Sequence, residues 1–131
     1  MRAGILDTSV FIAIESGREL HREVLPEEGY VTIITLAELE AGVLAAQTAE
    51  ARAIRLRTLQ ELATVDRFDI DEGAAHEWAL LRYTLAQAHR KVNINDLWIA
   101  AVAKSRGLPV ITQDNDFDAI AEVGGLTVVH A

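Results

Sequence analysis

Five acids stand where apolar runs begin or end. Asp7 follows Ala3 to Leu6, Glu38 lies beyond Tyr30 to Ile34, Asp96 precedes the run from Leu97, and Asp114 and Asp116 follow Pro109 to Thr112. That placement suits a metal-dependent nuclease. Brought together, two carboxylates about 5 Å apart repel by roughly 3 kcal/mol at an effective dielectric near 20. A cluster of several therefore needs protonation or hard cations. An all-oxygen donor set in a chain without cysteine suits Mg²⁺ or Mn²⁺ better than zinc. Such ions lower the pKa of a bound water, align it for attack on a phosphodiester and neutralise the departing 3′ oxygen. The hydroxyls of Ser9 and Thr112 are placed to orient a phosphate or a ligand carboxylate.

Taken singly, each residue also has a local reading. Thr35-Leu36-Ala37-Glu38 fits a capping box, in which the glutamate returns to the backbone N–H of Thr35. Asp96 fits a helix N-cap, a contribution of roughly 0.5 to 2 kcal/mol. Asp7 fits an Asx-turn, Asp114 and Asp116 a solvated loop, and Ser9 and Thr112 local turn bonds. Only convergence of the whole set separates the two readings.

The elements that must position these residues alternate. Ala3 to Leu6 reads as a buried strand, Val10 to Ile14 as the first turns of a helix, and Tyr30 to Ile34 as a second strand rich in β-branched residues. A helix opens at Thr35, with Gly42 as a candidate interruption, and strong helix formers run from Thr48 to about Thr64. Phe68-Asp69-Ile70 suggests a brief strand. Trp78, Leu81, Leu85 and Ala88 then form an apolar helical stripe opposite Arg82 and His89. Asn95-Asp96 begins a helix that is apolar almost all round, which implies burial, and Gly107 closes it. Pro109 to Thr112 and Thr127 to Val129 complete the strands. The alternation predicts an α/β domain with a mainly parallel sheet covered on both faces, and ligands bind outside the carboxyl ends of such strands.

A chain of 131 residues, half of them hydrophobic and 5% aromatic, can bury an aliphatic core as one domain spanning 1–131. The absence of cysteine excludes disulfides and thiolate chemistry. No apolar run reaches membrane-spanning length, and the few residues before Asp7 are too short for a signal peptide, so a cytoplasmic protein with no membrane partner is expected. The net charge of −8 counts against nucleic-acid binding unless the charge is localised. A five-acid cluster would hold most of it, and two divalent cations would nearly neutralise that cluster.

Other features have plainer readings. Arg52 and Arg55 form one basic group, and Arg82, His89, Arg90 and Lys91 form another near Asp96. Both suit RNA phosphates, and surface solubility is the commoner role. Trp98 belongs to core packing more than to base stacking. The four histidines show no ligand spacing on one helix face and none is assigned to metal.

Four segments resemble the signature segments of PIN-domain proteins, within them the VapC-type toxins. They are Leu6-Asp7-Thr8-Ser9-Val10, Thr35-Leu36-Ala37-Glu38-Leu39, Asn95-Asp96-Leu97-Trp98-Ile99-Ala100-Ala101 and Ile111-Thr112-Gln113-Asp114-Asn115-Asp116-Phe117. They occur in family order across nearly the whole chain. The resemblance implies an αβα sandwich, a homodimer, Mg²⁺- or Mn²⁺-dependent endoribonuclease activity on an RNA substrate, and inhibition by a small VapB-like antitoxin. It implies that Asp7 and Asp96 are metal ligands and that Glu38 is a ligand or the group that activates water. The fourth acid is Asp116 or, as a close second, Asp114. Leu, Ala and Val of the helices between Thr35 and Thr64 either line a groove for an antitoxin peptide or fill the core, two roles with the same sequence pattern. The competing expectations are a nuclease of the same fold acting in RNA processing or on structured DNA, a non-catalytic module of that fold, and an aspartyl-phosphate phosphatase. The last wants a second aspartate where Ser9 stands.

Overall fold

Parallel strands need crossover connections, and helices supply them here. The computed structural model describes all 131 residues, Met1–Ala131. Its elements run β1 (Ala3–Leu6), α1 (Thr8–Ser16), a 3-10 turn (Arg22–Val24), β2 (Glu28–Thr32), α2 (Ile33–Ala45), α3 (Ala49–Leu62), β3 (Asp66–Phe68), α4 (Glu72–Gln87), α5 (Ile94–Arg106), β4 (Val110–Thr112), α6 (Asp118–Gly124) and β5 (Val128–His130). The five strands form one sheet in the order β3-β2-β1-β4-β5, and every neighbouring pair is parallel. Strand order reverses between β1 and β4. In open α/β sheets, the crevice outside the carboxyl ends at such a point is where ligands bind.

Adjacent strand residues face opposite sides. Val110 joins Ile5 and the buried residues of α4, α5 and α6 in a cluster on one face, while Ile111 packs with Val10 of α1 on the other. Val31, Leu39 of α2 and Leu62 of α3 extend that second face. The sheet is thus sandwiched between two helical layers, the αβα arrangement expected. Helix α5 is its most buried element, with Leu97 and Ile99 through Ala103 all inside. Trp98 stacks on Trp78 of α4 at 4.9 Å, so this indole serves packing between the two helices.

Several boundaries differ from the sequence expectation. Ile33 and Ile34 are helical, because α2 starts two residues before Thr35. Strand β3 lies at Asp66–Phe68 and pairs with β2, two residues earlier than Phe68 to Ile70. Gly42 does not interrupt α2, which continues to Ala45. Asp96 is not a cap. Asn93 caps α5, its Oδ1 accepting from the backbone N–H of Asn95 at 2.8 Å and of Asp96 at 3.3 Å. Helix α6 was not anticipated; its seven residues are too few for a clear period.

Because α5 carries Asp96 from the core to the strand edge, a cavity in α5 should loosen the whole domain. Ile99→Ala is expected to cost about 2–5 kcal/mol of unfolding free energy, measured by urea titration with the slope unchanged.

Candidate active site

The sheet edge supplies the first acid. Asp7 directly follows β1 and caps α1, its Oδ2 accepting from the backbone N–H of Ser9 at 3.3 Å. It is only 3% exposed. Burial would leave this carboxylate short of partners, and a hydroxyl relay supplies them. The backbone N–H of Gln113 donates to Ser9 Oγ at 2.9 Å, Ser9 Oγ lies 3.1 Å from Thr112 Oγ1, and Thr112 Oγ1 donates to Asp7 Oδ2 at 3.0 Å. Thr112 Oγ1 is also 3.2 Å from Asp114 Oδ1, so its single proton lies between two acids from different segments. Burial raises the Asp7 carboxyl above its ordinary range, and the Ser9 and Thr112 bonds partly offset it.

Glu38 arrives by another route. The early start of α2 places Thr35 inside the helix, fully buried, and removes the capping-box geometry. The Glu38 carboxylate instead crosses to α1, where Thr8 Oγ1 donates to Glu38 Oε1 at 2.8 Å and lies 3.0 Å from Thr35 Oγ1. Asp96 comes from the first turn of α5. Asp114 and Asp116 come from the turn after β4, Asp114 half-buried and Asp116 exposed.

All five acids line one cavity of about 350 Å³, together with Thr8, Ser9, Arg18 and Asn93. Their proximity registers on Asp96. Burial first, then the negative charges of Asp7, Asp114, Asp116 and Glu38 in that order, pushes its carboxyl up to about 7. Of the loop pair, Asp114 meets the Thr112 hydroxyl that also reaches Asp7, and its charge adds to the upward push on Asp7.

This donor set fits a hard divalent cation, since every ligating atom on the wall is oxygen and the charge sought is positive. No three of the acids already converge within ligation distance of one point. Seating an ion therefore takes rotation of side chains other than the buried Asp7, with the exposed Asp116 the least enclosed.

Sequence reasoning did not single out Thr8, Arg18 or Asn93. Arg18 is the one basic side chain on the cavity wall, delivered by the left-handed turn at Gly17 that ends α1. Nothing local marks it, because its relation to the acids arises only when α1 packs beside the strand edge.

Residues 4–123 match the PIN domain family. The chain is 54% identical to Ribonuclease VapC5 of Mycobacterium tuberculosis over 128 residues, covering 98% of this chain and 95% of that protein. It is 42% identical to Ribonuclease VapC4 of the same organism, covering 98% of both. A crystal structure of VapBC-5, a member of the VapBC family of toxin–antitoxin systems from Mycobacterium tuberculosis, superposes with a TM-score of 0.89 at 51% identity. The match covers 99% of this chain and 98% of that one.

The crowding of Asp96 has a consequence for stability. In the folded chain Asp96 holds its proton up to about 7, against an ordinary value of 3.8. Between those values the folded state binds more protons than the unfolded one, so stability falls as pH rises through that window. Thermal unfolding in a chelator is expected to show a Tm that declines from about pH 4 to about pH 7, a decline shallower in Asp96→Asn. Adding a divalent cation should reverse it at pH 7. Parallel profiles for the two proteins would contradict the assignment.

Proposed function

Since the chain belongs to the PIN-domain family, among the VapC ribonucleases, we propose that it is a divalent-metal-dependent endoribonuclease, the toxin of a VapBC-type toxin–antitoxin pair. One observation carries this reading: five acids from four separate segments line a single cavity at the switch point of the sheet. Acids serving only as caps or loop solvation would have no reason to share a wall.

Asp7 and Asp96 are the principal ligands for Mg²⁺ or Mn²⁺, with Asp114 and Asp116 completing the acidic side. When bound, the ion lowers the pKa of a water and offsets charge at the departing 3′ oxygen. The protein's own groups do the rest. Thr8 ties down Glu38 Oε1, which leaves Glu38 Oε2 to take the proton from the attacking water. Ser9 and Thr112 already bond to each other and to Asp7, so their role is to orient the Asp7 and Asp114 carboxylates. Arg18, at the rim, is placed to receive a non-bridging phosphate oxygen. The products are a 5′-phosphate and a 3′-hydroxyl.

A regulatory surface adjoins this site. A second cavity, of about 270 Å³, lies between α1, α2 and α3 and is lined by Ile12, Glu15, Glu38, Leu39, Gly42 and Arg55. Ile12 and Glu38 belong to both cavities. Ile54 of α3 is exposed and, with Glu15 and Arg55, lines an adjoining hollow. An apolar antitoxin segment laid across this surface would reach the acids.

The direct test is cleavage of end-labelled RNA with Mg²⁺ or Mn²⁺ against a chelator, with product ends mapped. Asp96→Asn and Asp7→Asn should abolish cleavage while circular dichroism shows the fold retained. Glu38→Gln should lower kcat by about 10² to 10⁴, the usual range for loss of a general base. Folded wild-type protein that cleaves DNA but no RNA would favour a nuclease of different target, and one that cleaves neither would leave the acids as structural. For the antitoxin surface, Ile54→Arg should weaken capture of the small protein encoded beside this chain without changing RNA cleavage.

A further inference from the structure

A third cavity, of about 680 Å³, opens beside the acidic one, between the end of α4 and the start of α5. Its size falls within the range of about 300–1,000 Å³ typical of small-molecule sites. The two cavities share a wall. Asn93 and Asp96 line the acidic cavity, whereas Ile94 and Leu97 line the larger trough, so neighbouring positions about 100° apart around the start of α5 divide the two.

The trough is chemically divided. Leu85, Val92, Ile94 and Leu97 make an apolar floor, and Ile94 is 48% exposed although it opens a buried helix. Basic groups stand around it. Arg82, His89, Arg90 and Lys91 all line the rim, and from Trp78 to Asn95 the chain has no acidic residue, although it has 20 overall. Two of the four are engaged: Arg90 bonds to Glu122 at 2.7 Å, and Arg82 lies 5.5 Å from the ring centre of Trp78. Lys91 and His89 make no such contact. His89 takes φ 54 as the left-handed residue that ends α4 in a Schellman motif, its N–H donating to the Ala86 carbonyl at 3.1 Å and that of Arg90 to the Leu85 carbonyl at 2.9 Å, which turns the chain along the trough.

We propose that this trough is a nucleotide subsite, taking the base and the backbone phosphate of the RNA residue next to the scissile bond. The inference rests on the ribonuclease reading above and extends it to how a net-acidic protein holds its substrate. An apolar floor accepts the face of any base, while Lys91 and His89 meet the phosphate. A purely apolar partner would leave the cations unpaired, and a free anion would leave the floor uncovered. A nucleotide matches both halves, and the start of α5, which lines both cavities, sets its neighbouring phosphodiester beside the acids.

The test measures kcat and KM on a short single-stranded RNA with Mg²⁺ present, from 50 to 200 mM salt. Lys91→Gln should raise KM about five- to tenfold with kcat within about twofold, and should reduce the salt slope by about 0.7, the value for one lost contact to a single strand. Ala86→Trp, which fills the trough from an exposed position on α4, should raise KM by a similar factor and leave the slope unchanged. Arg57→Gln, exposed on α3 and away from both cavities, should alter neither. Active wild type with both trough variants unchanged in KM and slope would overturn the subsite alone. Wild type that cleaves no RNA would overturn the ribonuclease reading and the subsite with it. Dissociation of a dimer by either trough variant at unchanged KM would assign the trough to a second copy of the chain and overturn the proposal.

Discussion

Mutual repulsion among carboxylates is the constraint around which this protein is built. Asp7, Glu38, Asp96, Asp114 and Asp116 share one wall, and the cost is visible in the Asp96 carboxyl, pushed up to about 7 by burial and by the other four. Five negative charges do not gather unaided, so the surrounding structure must hold them. Each is carried on a segment fixed elsewhere: β1, α2, α5 and the turn after β4 are all anchored in the aliphatic clusters on the two faces of the sheet. Hydrophobic burial thus supplies what electrostatics withholds.

The hydroxyl groups refine that placement. Ser9 and Thr112 form a relay that ends on Asp7, and Thr8 pins Glu38 to α1 across 30 residues of sequence. Neither bond makes the cluster less negative. Both limit the rotamers open to an acid, which lowers the ordering cost when a cation is seated. Asn93 acts similarly on the backbone, since its side chain receives the N–H of Asp96 itself and fixes the turn from which that carboxylate projects.

Charge is partitioned as well as crowded. The acids concentrate at the sheet edge, while the stretch from Trp78 to Asn95 bears only basic charge and turns toward the same edge. A net charge of −8 therefore says little about affinity for a polyanion. What a phosphate chain meets is the local field: a cation-demanding pocket beside a strip of positive side chains.

The sequence alone determined the alternation of strands and helices, the burial of α5 and the positions of the acids relative to the apolar runs. All three are local properties, set by hydrophobic periodicity and by capping chemistry. It also carried four segments in family order, enough to anticipate the sandwich fold. Where it misled, packing overrode propensity. Ile33 and Ile34 favour strands in isolation, yet both belong to α2, with Ile34 packed against the core, which places Thr35 inside the helix and turns Glu38 from a capping residue toward Thr8. Helix α6 and the two-residue shift of β3 depended likewise on neighbours distant in sequence. Tertiary structure decided that the acids converge, that Arg18 joins them, and that the basic strip forms a trough sharing their wall. Such relations depend on distances between segments as much as 104 residues apart, which sheet order and helix packing set.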